Sequence, residues 1–520
     1  MIKNLAKLFT LGLAICQLAP AASADPVTVE LLGNGPKYGG PTIAEIDGNT
    51  GNGKEIAVAS ANGIVSAVSA AGVVLWETTL PIASCTALSG SNRILSSPAV
   101  GELFANGVPY VVVSYGGLGD RTCPGGVVAL KGDDGSIAWN FDLKVLATKR
   151  PIFSVSHAAI SSPALYDFTG DGKLEVVFGS LDRNIYMLTP RGRLKGYYQA
   201  ADTVFSSPAI ADADGTGSAE IIIGTDISQN LQLRPPTPNG GYFYALKGSS
   251  FKDGKVIPFR LPGSAVWRKQ FDQVVQGSPT IGELLSSNPG LEVVSSTGCY
   301  FPEGSTDKRG RYLKIFSLRT GRLLQTVPLS TCTNSEPAIA DVDGNGSNDI
   351  VIPVQTLGQY GGSGQSEVVA YNPETSTTLW TANPKAGHRN MRELALFSGL
   401  AIADLDKNGS REVIVMVSTG LAILAGATGQ HLSCDESECL DGRQILTGFS
   451  SARNTPAVGD LDGDGNYELV AAGPSSNGGI VQIYSNLGGI ISSSAGSSSN
   501  YLPWPMYRGD AKHRGVQGGS

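Results

Sequence analysis

An internal repeat runs through most of this 520-residue sequence. Each copy opens with small residues, Ser, Pro and an apolar run. It then passes through an acidic, glycine-rich turn and continues with further short apolar runs. Eight copies follow one another at a mean spacing of about 59 residues. Their anchor residues are Pro41, Pro98, Pro163, Pro208, Pro279, Pro337, Leu400 and Pro456.

The repeat predicts the architecture. Each copy contains four short β-like runs separated by turns, and the 67 Gly and 29 Pro suit so many turns. Eight such units predict an all-β fold, an eight-bladed β-propeller of four-stranded antiparallel blades, whereas seven blades would leave one repeat over. The expected repeats span 41–97, 98–162, 163–207, 208–278, 279–336, 337–397, 398–455 and 456–491, followed by a closing segment at 492–520.

A propeller ring must also close. Two segments could supply a strand that joins the first blade to the last, 27–32 near the N-terminus and 501–507 near the C-terminus. The sequence does not decide between them.

The first 24 residues have the features of a secretory signal peptide. Lys3 and Lys7 precede an apolar stretch at 8–18, and Ala22-Ser23-Ala24 is a small-residue cleavage site. No later apolar run reaches the length that spans a membrane. We therefore expect a mature chain, 25–520, that folds as a single propeller domain and is secreted to the periplasm, the extracellular surface or the medium.

Composition argues against several classes of function. A net charge of −7 argues against a nucleic-acid partner, and only four His argue against a His-rich metal centre. The mature chain would keep six Cys, without a C-x-x-C motif, so export favours disulfides over zinc or redox chemistry.

The turn after the first strand of most repeats is acidic. In the eighth copy it begins at Asp460, with carboxylates at positions 1, 3, 5 and 9 and glycines at positions 4 and 6 that permit a sharp bend. An all-oxygen ligand set suits Ca²⁺, so we predict about five structural calcium sites, in copies three, four, six, seven and eight. The first copy has a stretched version, and the second and fifth lack the pattern. The predicted ligands are Asp167, Thr169, Asp171, Glu175; Asp212, Asp214, Thr216, Glu220; Asp341, Asp343, Asn345, Asp349; Asp404, Asp406, Asn408, Glu412; Asp460, Asp462, Asp464, Glu468; and, in the first copy, Asp47, Asn49 and Glu55.

These turns, each following a Pro-Ala-apolar strand, resemble the FG-GAP/VCBS repeats of integrin-α-like propellers. The resemblance covers nearly the whole mature chain and implies Ca²⁺ bound between the first two strands of a blade. That family includes adhesion proteins, lectin-like proteins and propellers attached to enzymes.

A second resemblance lies in the later strands. The segment 129–139, which ends at Trp139, resembles the tryptophan-docking motif of quinoprotein-type propellers, and weaker copies end at Trp76 and Trp380. Buried Trp side chains could staple neighbouring blades. The adjacent cysteines often found near the quinone are absent, so the motif predicts architecture and no quinone cofactor.

The predicted ring has two faces. In a four-stranded blade, the loops between strands 1 and 2 and between strands 3 and 4 lie on one face, and the 2–3 loops and the crossovers to the next blade lie on the other. The acidic turns lie on one face, here the acidic-turn face, and nearly all long insertions lie on the other, here the long-loop face. The cysteines also fall in long-loop-face segments, which predicts the pairs Cys85–Cys123, Cys299–Cys332 and Cys434–Cys439. Aromatic and Arg side chains in these loops could bind a ligand. The predicted ligand-face residues are Tyr115, Arg121, Tyr300, Phe301, Arg309, Tyr360 and Arg453.

Two further features are predicted to be structural. Glu336 interrupts the Ser-Ser-Pro phrase of the sixth copy and would lie near the central channel as a hydrogen-bonded turn residue. Arg508-Gly509-Asp510 has the form of an integrin-recognition tripeptide, but 504–510 resembles a structural terminal segment of bacterial propellers.

These features predict an exported, monomeric, calcium-binding propeller that acts as a binding or adhesion module for a glycan or an extracellular protein. No nucleophile–base motif or phosphate loop is recognisable, so an enzyme is the less favoured interpretation. The alternative is a carbohydrate-active enzyme, such as a polysaccharide lyase, on the same calcium-stabilised scaffold.

Overall fold

The structure is a computed structural model. It describes residues 26–87, 93–117, 122–149, 156–226, 229–231, 233–298, 310–355, 366–383, 399–417, 420–433, 448–485, 487 and 502–517. The predicted signal peptide lies outside this part of the chain.

Eight small sheets form an eight-bladed β-propeller, as the repeat predicted. The innermost strand of each blade contacts that of the next, and the eighth contacts the first, so the ring is complete. Strand β1 (Val27–Leu31) precedes the first blade. Blades one to four contain β2 (Thr42–Ala44), β3 (Glu55–Ser60), β4 (Ile64–Val68), β5 (Val74–Thr79); β6 (Ala99–Gly101), β7 (Tyr110–Tyr115), β8 (Gly126–Lys131), β9 (Ile137–Asp142); β10 (Ala164–Tyr166), β11 (Glu175–Gly179), β12 (Asn184–Leu188), β13 (Leu194–Gln199); and β14 (Ala209–Ala211), β15 (Glu220–Gly224), β16 (Tyr242–Lys247), β17 (Lys255–Ile257), β18 (Ala265–Gln270).

The remaining blades follow the same order. Blade seven has three strands among the described residues, and one short helix α1 (Leu143–Lys149) and two 3₁₀ turns (Pro81–Ser84 and Gly248–Ser250) lie between strands. Blades five to eight contain β19 (Thr280–Gly282), β20 (Glu292–Thr297), β21 (Tyr312–Ser317), β22 (Leu323–Pro328); β23 (Ala338–Ala340), β24 (Asp349–Gln355), β25 (Ser366–Asn372), β26 (Thr377–Ala382); β27 (Ala401–Ala403), β28 (Glu412–Val417), β29 (Gly420–Ala425); and β30 (Ala457–Gly459), β31 (Glu468–Pro474), β32 (Gly479–Tyr484).

Each blade begins at the residue after its anchor, for example Ala164 after Pro163. The innermost strands have only three residues because the acidic turn follows at once. The second strands are buried throughout, as in β11 and β28. Their sequences are continuous apolar runs because each strand is covered by a neighbouring blade on both sides. The core is therefore a series of apolar layers between blades.

The N-terminal strand closes the ring. β1 pairs antiparallel with β32, placing Val27 opposite Ile483, and so becomes the outermost strand of blade eight. Of the two segments that could have closed the ring, the N-terminal one does so by strand pairing. This joins the two ends of the propeller within a single sheet.

The C-terminal segment, residues 502–517, runs around the central channel. Its backbone carbonyls accept hydrogen bonds from the innermost strands of blades seven, eight, two, three, four and five, in that order. These edges would otherwise be unpaired strand edges. The bonded N–H···O pairs are Ile402–Trp504, Val458–Pro505, Val100–Ala511, Leu165–Lys512, Ile210–Arg514 and Ile281–Gly515, with N···O distances of 2.7–2.9 Å.

Tryptophans of the outer strands join neighbouring blades. Trp76, Trp139 and Trp380 each donate an indole N–H to a backbone carbonyl of the next blade, at 2.6, 3.0 and 2.6 Å. Trp267 does the same to Leu318, at 2.7 Å. The sequence pattern missed Trp267 because an insertion separates it from strand β16. A glycine with φ of +68°, Gly135, lies against the Trp76 ring, where a Cβ atom would come within 2.6 Å.

That insertion, 248–264, adds a strand to the neighbouring blade. Its strand β17 pairs in parallel with β13, so the sheet of blade three has five strands. Tyr198 donates its hydroxyl to the Phe259 carbonyl at 2.6 Å and fixes the insertion in place.

Candidate metal sites and ligand-binding face

The acidic turns share one buried hydrogen bond. The carboxylate at position nine, the first residue of the second strand, accepts the backbone N–H of position two. This bond orders the turn and leaves the second carboxylate oxygen for another partner, which is Lys195 for Glu175 and Asn372 for Asp349. The bonded pairs are Phe168–Glu175, Ala213–Glu220, Val342–Asp349, Leu405–Glu412, Leu461–Glu468 and, in the first copy, Ile46–Glu55, with N···O distances of 2.7–3.0 Å.

Five turns bring three carboxylates close enough to hold one metal ion. In each group, one oxygen per residue lies within 4.8 Å of the others. Asn345 and Asn408 close their turns through backbone and amide hydrogen bonds to the neighbouring aspartates, and Thr216 and Asn49 do so through backbone N–H groups. The groups are Glu45, Asp47, Glu55; Asp212, Asp214, Glu220; Asp341, Asp343, Asp349; Asp404, Asp406, Glu412; and Asp460, Asp462, Asp464.

The first turn fits a cation particularly well. Glu55 is fully buried, and its Oε1 atom has no hydrogen-bond partner in the structure. A buried carboxylate oxygen without a partner is costly, and a cation held with Asp47 and Glu45 would satisfy it. This turn, which the sequence suggested only in stretched form, therefore belongs with the four regular ones.

The electrostatics of the other turns also favour a bound cation. Burial raises the pKa of the position-nine carboxyl group, and the turn aspartates raise it further, against the backbone hydrogen bond that lowers it. The pKa reaches about 7 for Glu220, Asp349 and Glu468 and about 8 for Glu412. A bound cation would relieve the repulsion that causes part of these shifts.

The calcium site predicted in the third turn stays a prediction, and its carboxylates are arranged differently from those of the other turns. Asp167, Asp171 and Glu175 are not among the carboxylate groups that converge in the described residues. Lys195 of strand β13 donates to Glu175 Oε1 at 2.7 Å, and Lys173 pairs with Asp171 at 2.9 Å. Thr169 Oγ1 donates to Asp167 at 3.3 Å. These lysine contacts alone do not set the turn apart, because Lys247 also lies 2.9 Å from Asp214 in the fourth turn; the difference is that the carboxylates of turn three do not converge.

Turns two and five lack the carboxylate set for different reasons. Tyr110 occupies position nine in blade two, opposite Gly101. In blade five, Glu292 keeps the shared hydrogen bond to the Leu284 N–H, and Asn288 donates its side-chain amide to the other carboxylate oxygen at 2.5 Å. An amide also bonds the position-nine carboxylate of turn six, from Asn372 to Asp349 at 2.8 Å, so what turn five lacks is the aspartates of the convergent turns.

The contrast between turns predicts a difference in bound calcium. We expect Asp406→Asn, in a convergent turn, to lower the calcium content of the protein by about one ion, because it removes one of three anionic ligands. The same change at Asp171 should leave the calcium content unchanged. Equilibrium dialysis with metal analysis measures both. Equal losses in the two variants would show that turn three binds calcium as well, although its carboxylates do not converge.

One predicted disulfide is confirmed. Cys85 and Cys123 are bonded, with Cα atoms 5.7 Å apart, and join a crossover to the 2–3 loop of blade two. Cys332 is also in a disulfide; its predicted partner Cys299 lies outside the described residues. Cys434 and Cys439 lie outside them as well, so that pair stays a prediction.

The predicted ligand-face residues have mixed outcomes. Tyr115 is not available to a ligand: it is the last residue of β7, fully buried, and its hydroxyl donates to Asn140 at 2.8 Å. Its position next to a long loop suggested exposure, but its strand side chain faces the layer between blades. Arg453 is half-buried, and its backbone N–H donates to the Lys37 carbonyl at 2.8 Å. Arg121, Tyr300, Phe301, Arg309 and Tyr360 lie outside the described residues.

Glu336 and Arg508 form a buried ion pair at the channel. Both side chains are fully buried, and Arg508 Nη1 lies 2.9 Å from Glu336 Oε1. Arg508 also donates to the carbonyls of Pro279 and Pro208, at 2.6 and 3.0 Å. The tripeptide at 508–510 therefore anchors the C-terminal segment to three blades, and its arginine is not available to a receptor.

His513 lies in the same layer. It is fully buried, its Nδ1 is 3.1 Å from the Pro163 carbonyl oxygen, and its ring packs edge-on against Tyr507. Burial lowers the pKa of His513 to about 3, so the imidazole is neutral and has a packing role.

Comparisons with known proteins identify the fold only. No protein-family model matches the sequence, and no curated protein matches it. The structure of Saccharomyces cerevisiae Sqt1 is 9% identical, with 89% of this chain and 99% of that chain covered and a TM-score of 0.52. BamB from Moraxella catarrhalis is 15% identical, covering 88% and 98%, with a TM-score of 0.47. The V. cholerae biofilm matrix protein Bap1 is 13% identical, covering 88% and 90%, with a TM-score of 0.41. At these identities, what the chain shares with Sqt1 is its propeller fold.

Proposed function

We propose that this chain is an exported, calcium-stabilised β-propeller that binds a glycan or an extracellular protein through its long-loop face. The observation that carries the proposal is the separation of two kinds of loop. Convergent carboxylates lie in the short turns between first and second strands, while most long insertions leave the opposite ends of the strands; the insertion 248–264, between the third and fourth strands of blade four, is an exception. A rigid scaffold that holds variable loops at one end is a common design for binding proteins.

Calcium is the cation that these turns suit best. The ligands are carboxylate, amide and backbone oxygens, a hard set that favours Ca²⁺ over softer metals. The similarity of the turns to FG-GAP/VCBS repeats supports the same ion. Its role would be structural, because each turn joins the two innermost strands of a blade.

Two observations support export of the chain. The N-terminal 24 residues have the pattern of a cleaved signal peptide, and the Cys85–Cys123 disulfide is typical of an oxidising compartment. No helix among the described residues is long and apolar enough to cross a membrane.

The channel residues favour binding over catalysis. Glu336 is held by Arg508, and His513 is buried against the Pro163 carbonyl, so both act in closing the channel. A polysaccharide lyase would need an acid or base that reaches the substrate.

The proposal is tested with calcium-loaded mature protein on a glycan array and in a pull-down from extracellular fractions. We expect a reproducible ligand in at least one of the two assays. No ligand in either assay would contradict the binding function. Release of unsaturated products from acidic polysaccharides would instead support the lyase alternative.

A further inference from the structure

A cleft of about 680 Å³ lies at the outer rim of the ring, between blades three and four. We refer to it as the rim cleft; it is lined by the turn before β12 at 182–184, the end of β13, and two blade-four segments, one contributing Asn230, Leu233 and Arg234 and the other residues 258–261. The second of these blade-four segments belongs to the insertion that carries β17. The insertion thus builds one wall of the cleft, and Phe259, which is buried, anchors that wall against Tyr242 at 5.2 Å between ring centroids.

The charge of the rim cleft is predominantly basic. Arg183, Arg234 and Arg260 line it, together with one carboxylate, Asp182. Asp182 is buried and accepts hydrogen bonds from the Tyr186 hydroxyl at 2.5 Å and the Asn184 backbone N–H at 3.2 Å. Its oxygens are therefore committed within its own blade.

Two of the three arginines have no carboxylate partner among the described residues. Arg234 donates to the Leu231 carbonyl, at 2.5 Å, and Arg260 to the Pro235 carbonyl, at 2.6 Å. Both side chains are exposed. Carbonyl bonds orient the two guanidinium groups but leave their positive charge unneutralised, so they can pair with an anion.

The third arginine of the rim cleft, Arg183, has a strained backbone conformation. Its φ is +67°, a left-handed conformation. The equivalent residue of blade one is Gly63, because the hydrogen bond from Ala200 N–H to the Arg183 carbonyl corresponds to the one from Leu80 N–H to the Gly63 carbonyl, both at 2.9 Å. A non-glycine residue in this conformation is disfavoured. The ion pair with Asp202 at 3.2 Å helps to hold the guanidinium at the edge of the cleft.

We propose that the rim cleft binds the carboxylate-bearing sugars of an acidic oligosaccharide, with Arg234 and Arg260 as the anion-binding side chains. Asn184, Gln199 and Asn230 also line the cleft. The side-chain amides of Asn184 and Asn230 already donate to the Asp182 and Ala200 carbonyls, so Gln199 is the amide that suits sugar hydroxyls. This inference rests on the proposed binding function and names both a site and a ligand class for it.

An acidic peptide is less favoured. Extended peptides often bind by adding a strand to an exposed sheet edge. The edge of β13 beside the cleft is already paired with β17. A compact ligand with both carboxylates and hydroxyls fits the groups that remain.

The test compares two double variants of the calcium-loaded protein. Arg234→Gln/Arg260→Gln removes the unneutralised charges of the cleft, and Arg191→Gln/Arg319→Gln removes two exposed arginines elsewhere. Calorimetric titrations use acidic tetrasaccharides derived from hyaluronan, pectin and alginate, with neutral chitotetraose and tetraglutamate as comparison ligands. We expect at least one acidic tetrasaccharide to bind wild-type and control alike, and the cleft variant at least about tenfold more weakly.

Each other result overturns the inference. Equal affinity of the cleft variant and the control would exclude this cleft as the site, while leaving the binding function intact. Tetraglutamate binding that exceeds every tetrasaccharide and is lost in the cleft variant would make the occupant a peptide. Equal binding of chitotetraose would remove the role of charge. If no acidic tetrasaccharide binds the wild-type protein, the saccharide inference fails, and the array and pull-down decide the broader function separately.

Discussion

Removing calcium with EGTA is expected to destabilise the protein strongly. A ligand present at 100 times its Kd stabilises the folded state by about 2.7 kcal/mol per site, so several occupied turns together contribute on the order of 10 kcal/mol. For a chain of this size we expect the melting temperature to fall by roughly 10 °C. Differential scanning calorimetry with and without EGTA measures the change, and restored calcium should reverse it.

The calcium-free protein should also lose stability as the pH rises. The pKa values of Glu220, Asp349, Glu468 and Glu412 in the folded chain, about 7 to about 8, exceed the ordinary values of 4.5 for Glu and 3.8 for Asp. A carboxyl group whose folded pKa is raised stabilises the fold while protonated, and this contribution is lost as the pH rises through the folded pKa. In EGTA, we therefore expect a lower melting temperature at pH 8 than at pH 5. With saturating calcium this difference should disappear, because the ion offsets the repulsion.

Two results would contradict this account. If EGTA leaves the melting temperature unchanged, the carboxylate groups are not metal sites that matter to the fold. If magnesium at the same concentration restores stability as well as calcium does, the turns do not select the larger ion.

Breaking the ion pair at the channel is expected to have the second largest effect. Arg508→Met leaves the Glu336 carboxylate buried without a cation and also removes the bonds to the Pro208 and Pro279 carbonyls. Loss of one partner of a buried ion pair typically costs about 3–5 kcal/mol. The C-terminal segment should loosen at the same time, because Arg508 is its deepest anchor. Denaturant unfolding measures the free energy, and limited proteolysis followed by mass analysis detects cleavage within 502–517.

The matched control is Arg319→Met, an exposed arginine on blade five. Its stability should stay close to that of the wild type. The double variant Arg508→Met/Glu336→Leu should recover much of the loss, since it removes both charges together. A single Arg508→Met variant as stable as the control would show that the pair is not needed to hold the segment.

Much of the fold could be predicted from local pattern. The anchor residue, the acidic turn and the apolar second strand recur eight times, and such a unit buries its apolar faces only against copies of itself. Trp76, Trp139 and Trp380 were also recognisable, because their distance from the preceding strand is regular. Trp267 was missed because the 248–264 insertion hides that distance.

The acidic turns show what the local sequence pattern could not predict. Turn three has the same residue types as turn four, and a lysine reaches both turns, Lys195 to Glu175 and Lys247 to Asp214, but three carboxylates converge in turn four and not in turn three. Lys195 is 20 residues from Glu175 in sequence and reaches it only because strands β11, β12 and β13 pair side by side. A lysine within the fourth strand of the blade was the available signal. Its direction toward the turn depended on strand register.

The sequence alone therefore determined the class of fold, the number of blades and the positions of the acidic turns, since all three depend on residues close together in the chain. Only the tertiary structure decided which terminus closes the ring, where the C-terminal segment lies and which acidic turns bring three carboxylates together. It also created the rim cleft, whose two walls come from different blades. Each of these depends on contacts between residues far apart in sequence, such as Val27 with Ile483 and Arg508 with Glu336. Such contacts exist only once the ring has assembled, because the repeat pattern specifies a blade and not the partners that a blade meets.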